Sequence, residues 1–203
     1  MAKLKWIGIV DDAAQYQQGE LPTNAVKLKS PKNMVEMQIK AFPFVIPFIL
    51  FLTVSMFCKV FFSENFLPKP LFIVLGFLCS FLLLLVHEIL HGIVYPKSAN
   101  VYIGIMPKSF TAVALASYPL SRKRFVLMCL LPFVLGIVPM FLFCILPSEY
   151  VGLNCFLWGV STVGLSSPYG DCYNVYQVMR QTTKDSMIQF YKDDLYCFKN
   201  KID

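Results

Sequence analysis

The chain has 203 residues, of which 57% are hydrophobic and 15% are charged, and its mean hydropathy is +0.60. An ordinary soluble domain is nearer half apolar even when glycine is counted, so the composition excludes that class and predicts a membrane protein. The formal net charge of +6 predicts a basic face against anionic lipid and not nucleic-acid binding, because no glycine-rich phosphate loop or interleaving of aromatic and basic residues accompanies it.

Four apolar segments are each near the twenty or so residues needed to cross a bilayer. They cover residues 41–62, 71–95, 125–146 and 150–170. The sequence therefore predicts an all-α membrane protein with four transmembrane helices. We expect residues 1–40 to form a cytoplasmic amino-terminal segment, residues 41–170 a four-helix core, and residues 171–203 a cytoplasmic amphipathic tail that lies on the membrane face or docks against the bundle.

The distribution of lysine and arginine predicts the orientation of these helices, since cytoplasmic loops retain basic residues. Sixteen of the eighteen lie before the first segment, between the second and third, or after the fourth. The other two are Lys59 and Lys69, which flank the first short loop. This asymmetry predicts a multi-pass protein of the cell membrane with both termini in the cytoplasm.

Residues 87–91 read His-Glu-Ile-Leu-His near the end of the second segment and contain both histidines of the chain. On a helix, positions i and i+4 share one face, so His87 and His91 can bind one zinc ion while Glu88 stands beside them as a general base. An ionisable group within an apolar span is costly, which favours a functional role. The opposite interpretation is two packed histidines and an unrelated carboxylate.

A catalytic zinc ion usually has three protein ligands and one open position for water. Glu64 and Glu149 fall in the predicted outer loops, whereas Asp171 follows the fourth segment on the cytoplasmic side. At 1.5 Å per residue, His87 lies about 24 Å along the second helix, in the same cytoplasmic third of the membrane. Asp171 is therefore the expected third ligand. Cys172 is the alternative ligand, and a helix cap is the alternative role for Asp171.

Two β-prone stretches between the second and third segments, residues 101–106 and 111–117, are separated by Pro107-Lys108-Ser109. They predict a short hairpin whose open edge an extended substrate could join by backbone hydrogen bonds. The alternatives are a plain interfacial loop and a re-entrant segment that only seals the bundle. A further short strand is expected at residues 25–28.

Several of these features resemble the zincin peptidases of bacterial membranes, a family first described as a domain of unknown function. The resemblance is carried by the histidine motif on the second of four spans, Pro119-Leu120, Leu131-Pro132 and Gly170-Asp171. More distantly, the chain is similar to the site-2 intramembrane metalloproteases, which place such a motif on one membrane helix and an aspartate ligand on another. The next residue here is Cys172, where that group has glycine.

The resemblance and the residues both indicate a zinc-dependent membrane-embedded endopeptidase. Zn²⁺ held by His87, His91 and Asp171 would lower the pKa of a water molecule and polarise a peptide carbonyl, while Glu88 takes the proton. The expected partners are a peptide or membrane-protein substrate and membrane lipid, with no nucleic acid and no signal for an oligomeric state. The alternative is a non-hydrolytic metal-binding scaffold or transporter, which would use the same ligands without needing Glu88.

Overall fold

The structure, a computed structural model, describes residues 2–32, 34–63, 65–107, 111–192 and 194–199. Its α-helices are α1 Met34–Ala41, α2 Ile46–Phe62, α3 Pro70–Val94, α4 Arg122–Leu130, α5 Val134–Ile145, α6 Val151–Ser166 and α7 Tyr169–Gln181. Its strands are β1 Lys3–Ile9, β2 Val26–Lys27, β3 Asn100–Met106, β4 Thr111–Leu115, β5 Leu120–Ser121, β6 Ser186–Tyr191 and β7 Asp194–Lys199. The prediction of an all-α protein is therefore wrong.

Three helical stretches in the described part of the chain are long and apolar enough to cross a membrane: Val35–Phe62, Pro70–Val94 and Arg122–Ile145. They correspond to the first three predicted spans. The fourth predicted span contains α6, whose sixteen residues extend about 24 Å and fall short of the roughly 30 Å hydrocarbon core. The helix ends there because Pro168 has no N–H to donate to the Gly164 carbonyl, which interrupts the helical hydrogen bonds. Four full-length transmembrane helices are thus not found among the described residues.

The central helix of the bundle is α6, which contacts α2, α3 and α5. Gly76 of α3 faces Gly159 of α6, and Gly136 of α5 faces Gly164 of α6. A methyl group added at any of these four glycines would lie 2.3–2.6 Å from backbone atoms of the neighbouring helix. Only hydrogen atoms fit at such distances, so these glycines allow the helix backbones to approach closely.

A lysine inside the bundle ties α2 to the connection between α5 and α6. Lys59 Nζ donates to the backbone carbonyls of Phe143 and Leu146 and to the Asn154 side-chain oxygen. The last carbonyls of a helix have no partner within that helix, so the ammonium group satisfies acceptors that would otherwise lack one. Lys59, predicted only to flank an outer loop, therefore caps the end of α5.

The strands form two small sheets. In the first, with the order β1-β3-β4, β1 is parallel to β3 and β3 is antiparallel to β4. In the second, with the order β2-β7-β6-β5, all neighbours are antiparallel. One hydrophobic core joins both sheets to α3, α4 and α7 through buried residues that include Val94, Val101, Phe125, Val178 and Ile188.

The hairpin predicted between the second and third segments is confirmed, because β3 pairs with β4 from Tyr102–Leu115 to Met106–Thr111. Residues 108–110 of its connection lie outside the described residues. The strand expected at residues 25–28 is present as β2. The tail is not helical throughout, as an all-α fold requires, since α7 is followed by the β6–β7 hairpin. There Ile188 and Leu195 are buried in the core shared by the two sheets instead of facing a membrane.

Gly159→Ala is expected to destabilise the protein, because the added methyl group would stand 2.4 Å from the Ile73 carbonyl oxygen. Overpacking of this kind costs about 1–3 kcal/mol. The free energy of unfolding can be measured in detergent micelles by titration with a denaturing detergent. The matched control is Gly170→Ala, whose methyl group would meet only the end of the Met37 side chain at 3.5 Å. If the two variants were equally stable, close packing at Gly159 would not be a requirement.

Candidate metal centre

The two histidines lie one turn apart near the carboxyl-terminal end of α3, and both are buried. α3 is continuous from Pro70 to Val94, so His87 and His91 project from one face as their spacing predicts. Their Nε2 atoms are 3.0 Å apart. The helix therefore presents two ring nitrogens to the same point in space.

Asp171 reaches this point from a different part of the chain. It is the third residue of α7, which begins directly after the turn that ends α6. Its Oδ2 atom lies 3.3 Å from His87 Nε2 and 3.5 Å from His91 Nε2. Because the glycine contacts fix α6 against α3, the start of α7 is fixed as well. The structure thus brings the three predicted ligand residues together.

The three atoms form a triangle with sides of 3.0, 3.3 and 3.5 Å. Two ligand atoms that are each about 2.0–2.1 Å from a tetrahedral zinc ion stand about 3.3 Å apart, so the triangle has the size of a zinc site with three protein ligands. Two imidazoles and one carboxylate are also a donor set found in hydrolytic zinc sites. The residues therefore fit a zinc ion in both spacing and chemistry.

A main-chain oxygen orients one of the two rings. His91 Nδ1 lies 2.9 Å from the Met128 carbonyl oxygen of α4. A carbonyl only accepts hydrogen bonds, so Nδ1 carries the proton and donates it, and Nε2 keeps its lone pair for a metal. Sequence reasoning missed this contact, because the residue type at position 128 does not indicate where its backbone oxygen points.

The charge state of Asp171 suits a ligand. Burial alone would raise the pKa of its carboxyl group, but the neighbouring His91 and His87 imidazoles outweigh burial and lower that pKa to about 2. Burial raises the pKa of the adjacent Cys172 thiol to about 11, and this side chain packs against the apolar cluster around Leu52. The Asp171 carboxylate faces both imidazoles, whereas Cys172 packs among apolar side chains, so their positions favour Asp171 over Cys172 as the ligand.

Glu88 lies beside the triangle and is partly buried, with Oε1 4.0 Å from His87 Nε2. The Glu88 carboxylate and the imidazoles of His87 and His91 form a group whose ligand atoms all lie within 4.8 Å of one another. The backbone N–H of Ala114 in β4 also lies near the Glu88 carboxylate. Glu88 therefore contacts both the histidine pair and the edge of the first sheet.

Glu64 and Glu149, the two carboxylates assigned to the outer loops, are not among the described residues of this cluster. Glu149 is exposed in the connection between α5 and α6. Glu64 lies outside the described residues. Of the carboxylates weighed from the sequence as partners of the histidines, Asp171 is thus the one whose position supports the prediction.

A family model with the description "Putative zincin peptidase" matches residues 80–187, just over half of the chain. The matched part contains His87, Glu88, His91 and Asp171. Searches of curated proteins and of solved structures each returned no match. The distant similarity to site-2 metalloproteases therefore stays a prediction.

Substitution of two adjacent residues tests the third ligand. Asp171→Asn keeps the size of the side chain but removes its charge, so the purified protein should lose most of its bound zinc. Cys172→Ser should bind as much zinc as the parent protein. Elemental analysis after dialysis against metal-free buffer measures both. Zinc loss in Cys172→Ser together with zinc retention in Asp171→Asn would reverse the assignment.

Proposed function

Because this chain belongs to that zincin peptidase family, we propose that it is a zinc-dependent endopeptidase embedded in the membrane. His87, His91 and Asp171 hold Zn²⁺, and Glu88 acts as the general base. The observation that carries the proposal is the triangle of two Nε2 atoms and one Oδ2 atom with a further carboxylate beside it. Metal binding alone explains the triangle, whereas water activation explains why Glu88 lies next to it.

The residues divide the chemistry among them. When bound, zinc supplies a Lewis acid that polarises the peptide carbonyl and makes a water molecule more acidic. The negative charge of Asp171 offsets part of the metal charge in a buried site. Glu88 accepts a proton from the attacking water and later donates it to the leaving amine. His91 is held by the Met128 carbonyl in the tautomer that this chemistry needs.

The edge of the first sheet supports a binding mode for the substrate. β4 is the edge strand in the order β1-β3-β4. In an antiparallel ladder, a residue directs its N–H and C=O groups to one side, and the side alternates along the strand. Because the Ala114 N–H points toward Glu88, Ala112 and Ala114 direct their backbone groups away from β3. We infer that an extended peptide adds to β4 as a further strand.

The exposed apolar side chains support a membrane around the helices, and the distribution of basic residues supports an orientation of the protein in that membrane. Large apolar side chains, such as those of Phe61, Leu71 and Leu82, are exposed on α2 and α3, which supports lipid as their neighbour. The excess of basic residues on one side supports a multi-pass protein of the cell membrane with both termini in the cytoplasm. The metal centre then lies near the cytoplasmic face. The substrate is a peptide or another membrane protein, and nucleic acid is not a partner.

Glu88→Gln separates hydrolysis from metal binding. Gln cannot take a proton from water, so cleavage should fall at least about 100-fold while the zinc content stays that of the parent. The assay incubates the detergent-solubilised protein with a library of peptides from a digested proteome and identifies new amino termini by mass spectrometry. A metal-binding scaffold or transporter would produce no zinc-dependent termini in either protein. Full activity of Glu88→Gln would overturn the peptidase proposal.

Proline substitutions test the edge strand. Ala112→Pro and Ala114→Pro each remove an N–H that points away from β3, so the β3–β4 pairing should persist. Cleavage in the peptide-library assay should fall at least about tenfold, whereas zinc content should not change. Ala112→Pro leaves the Ala114–Glu88 contact in place, and Ala114→Ser is the control that keeps the N–H. Undiminished cleavage by both proline variants would refute strand addition.

A further inference from the structure

The Met128 carbonyl is free to orient His91 because a proline follows one turn later. In an α-helix, the carbonyl of residue i accepts a hydrogen bond from the N–H of residue i+4. For Met128 that residue is Pro132, which has no N–H. The N–H of Leu131 bonds to the Leu127 carbonyl instead. The Met128 carbonyl therefore lacks the i+4 donor that it would otherwise have within its own helix.

Any residue other than proline at position 132 would be expected to donate its N–H to the Met128 carbonyl. α4 continues through one 3₁₀ turn at Leu131–Phe133 into α5, and the whole stretch Arg122–Ile145 is helical. An N–H at position 132 would thus lie within reach of the Met128 oxygen. Because Met128 is buried, its carbonyl needs a partner, and the His91 Nδ1–H group is that partner.

The register between α4 and α3 is set by a second contact. Arg124 Nε donates to the Val94 carbonyl at the end of α3. One turn further along α4, the Met128 carbonyl meets His91, which lies about one turn before Val94 on α3. Arg124 therefore holds the two helices in the alignment that places the free carbonyl against the imidazole.

We propose that Pro132 is a positioning residue of the metal centre: the N–H that it lacks reserves the Met128 carbonyl for His91 Nδ1 and so fixes the tautomer whose Nε2 is free for zinc. The benefit for zinc binding rests on the proposed function, which makes His91 a ligand. The tautomer of His91, however, reports the hydrogen bond to the Met128 carbonyl and can be measured without metal.

Pro139 provides a matched control in the same helical stretch. It lies inside α5, and the carbonyl that lacks a helical donor because of it belongs to Leu135. Leu135 lies where α5 packs against Gly164 of α6 and not beside a histidine. A proline-to-alanine change at position 139 therefore restores a helical N–H without affecting a ligand.

The experiment compares three variants of the full-length protein. Pro132→Ala restores an N–H that competes with His91 for the Met128 carbonyl. Replacement of Pro132 by lactic acid, introduced by cell-free translation, also removes the ring but restores no N–H. Pro139→Ala is the control. The first readout is the tautomer of the imidazoles in the metal-free protein, from ¹⁵N chemical shifts after histidine labelling, at a pH where those shifts show that both rings are neutral. The chain has two histidines, so the spectrum is simple to assign.

We expect Pro132→Ala to shift His91 away from the Nδ1–H tautomer. Its zinc affinity, measured by competition with a chelator of known affinity, should fall about 10–100-fold, as is typical when an outer partner of a ligating histidine is lost. The lactic-acid variant and Pro139→Ala should match the parent protein in both readouts.

Two results would overturn the role of Pro132. One is an unchanged tautomer and an unchanged zinc affinity in Pro132→Ala. The other is an equal loss in the alanine and lactic-acid variants, which would assign the effect to the ring and not to the missing N–H. Failure of the proposed function looks different, because the parent protein would then cleave no peptide or bind no zinc while the tautomer shift in Pro132→Ala still appeared.

Discussion

The close approach of α6 to α3 and α5 is the constraint on which the metal centre depends. Lipid is as apolar as the helix surfaces, so burial gives little drive for helices to associate, and close contact and hydrogen bonds must supply it. Glycines at positions 159 and 164 provide that contact. Ser80 Oγ of α3 lies 3.4 Å from the Val160 carbonyl oxygen of α6, and Trp158 Nε1 of α6 donates to the Leu52 carbonyl of α2, so hydrogen bonds also join α6 to its neighbours. Asp171 lies five residues after the end of α6, so the packing of α6 also fixes the position of Asp171.

The short helix α4 joins the two helices that carry the candidate ligands. Arg124 Nε donates to the Val94 carbonyl of α3, and Arg122 donates to the Met179 carbonyl of α7. Between these arginines and the end of α4, the Met128 carbonyl accepts from His91. A displacement of α4 would therefore disturb α3, α7 and one imidazole together. Rigid support of this kind keeps ligand atoms near productive distances without depending on the metal itself.

The positions of the candidate ligands could be predicted from the sequence, because they depend on residue spacing and on the order of the apolar segments. The i, i+4 spacing places His87 and His91 on one helix face, and the order of spans places Asp171 at their depth. The fourth span was overestimated because the apolar run was counted through Pro168, although a proline has no N–H with which to continue the helical hydrogen bonds. The sheets were largely missed because their pairing is not local: β1 pairs with β3 across almost half of the chain, and no short-range pattern indicates such a partner. Leu131-Pro132 was noticed in the sequence, but its consequence depends on knowing that His91 faces Met128.

Glu88 connects the two halves of the proposed mechanism. Its carboxylate lies beside His87 on one side and near the Ala114 N–H of the edge strand on the other. A peptide that pairs with β4 therefore runs past the carboxylate that has to move the proton. The helix α3 alone could not create this arrangement, because it supplies the histidines and the base but no surface for an extended chain. The hairpin between the second and third spans supplies that surface, which explains why strands belong to the core of a protein that its composition assigns to the membrane.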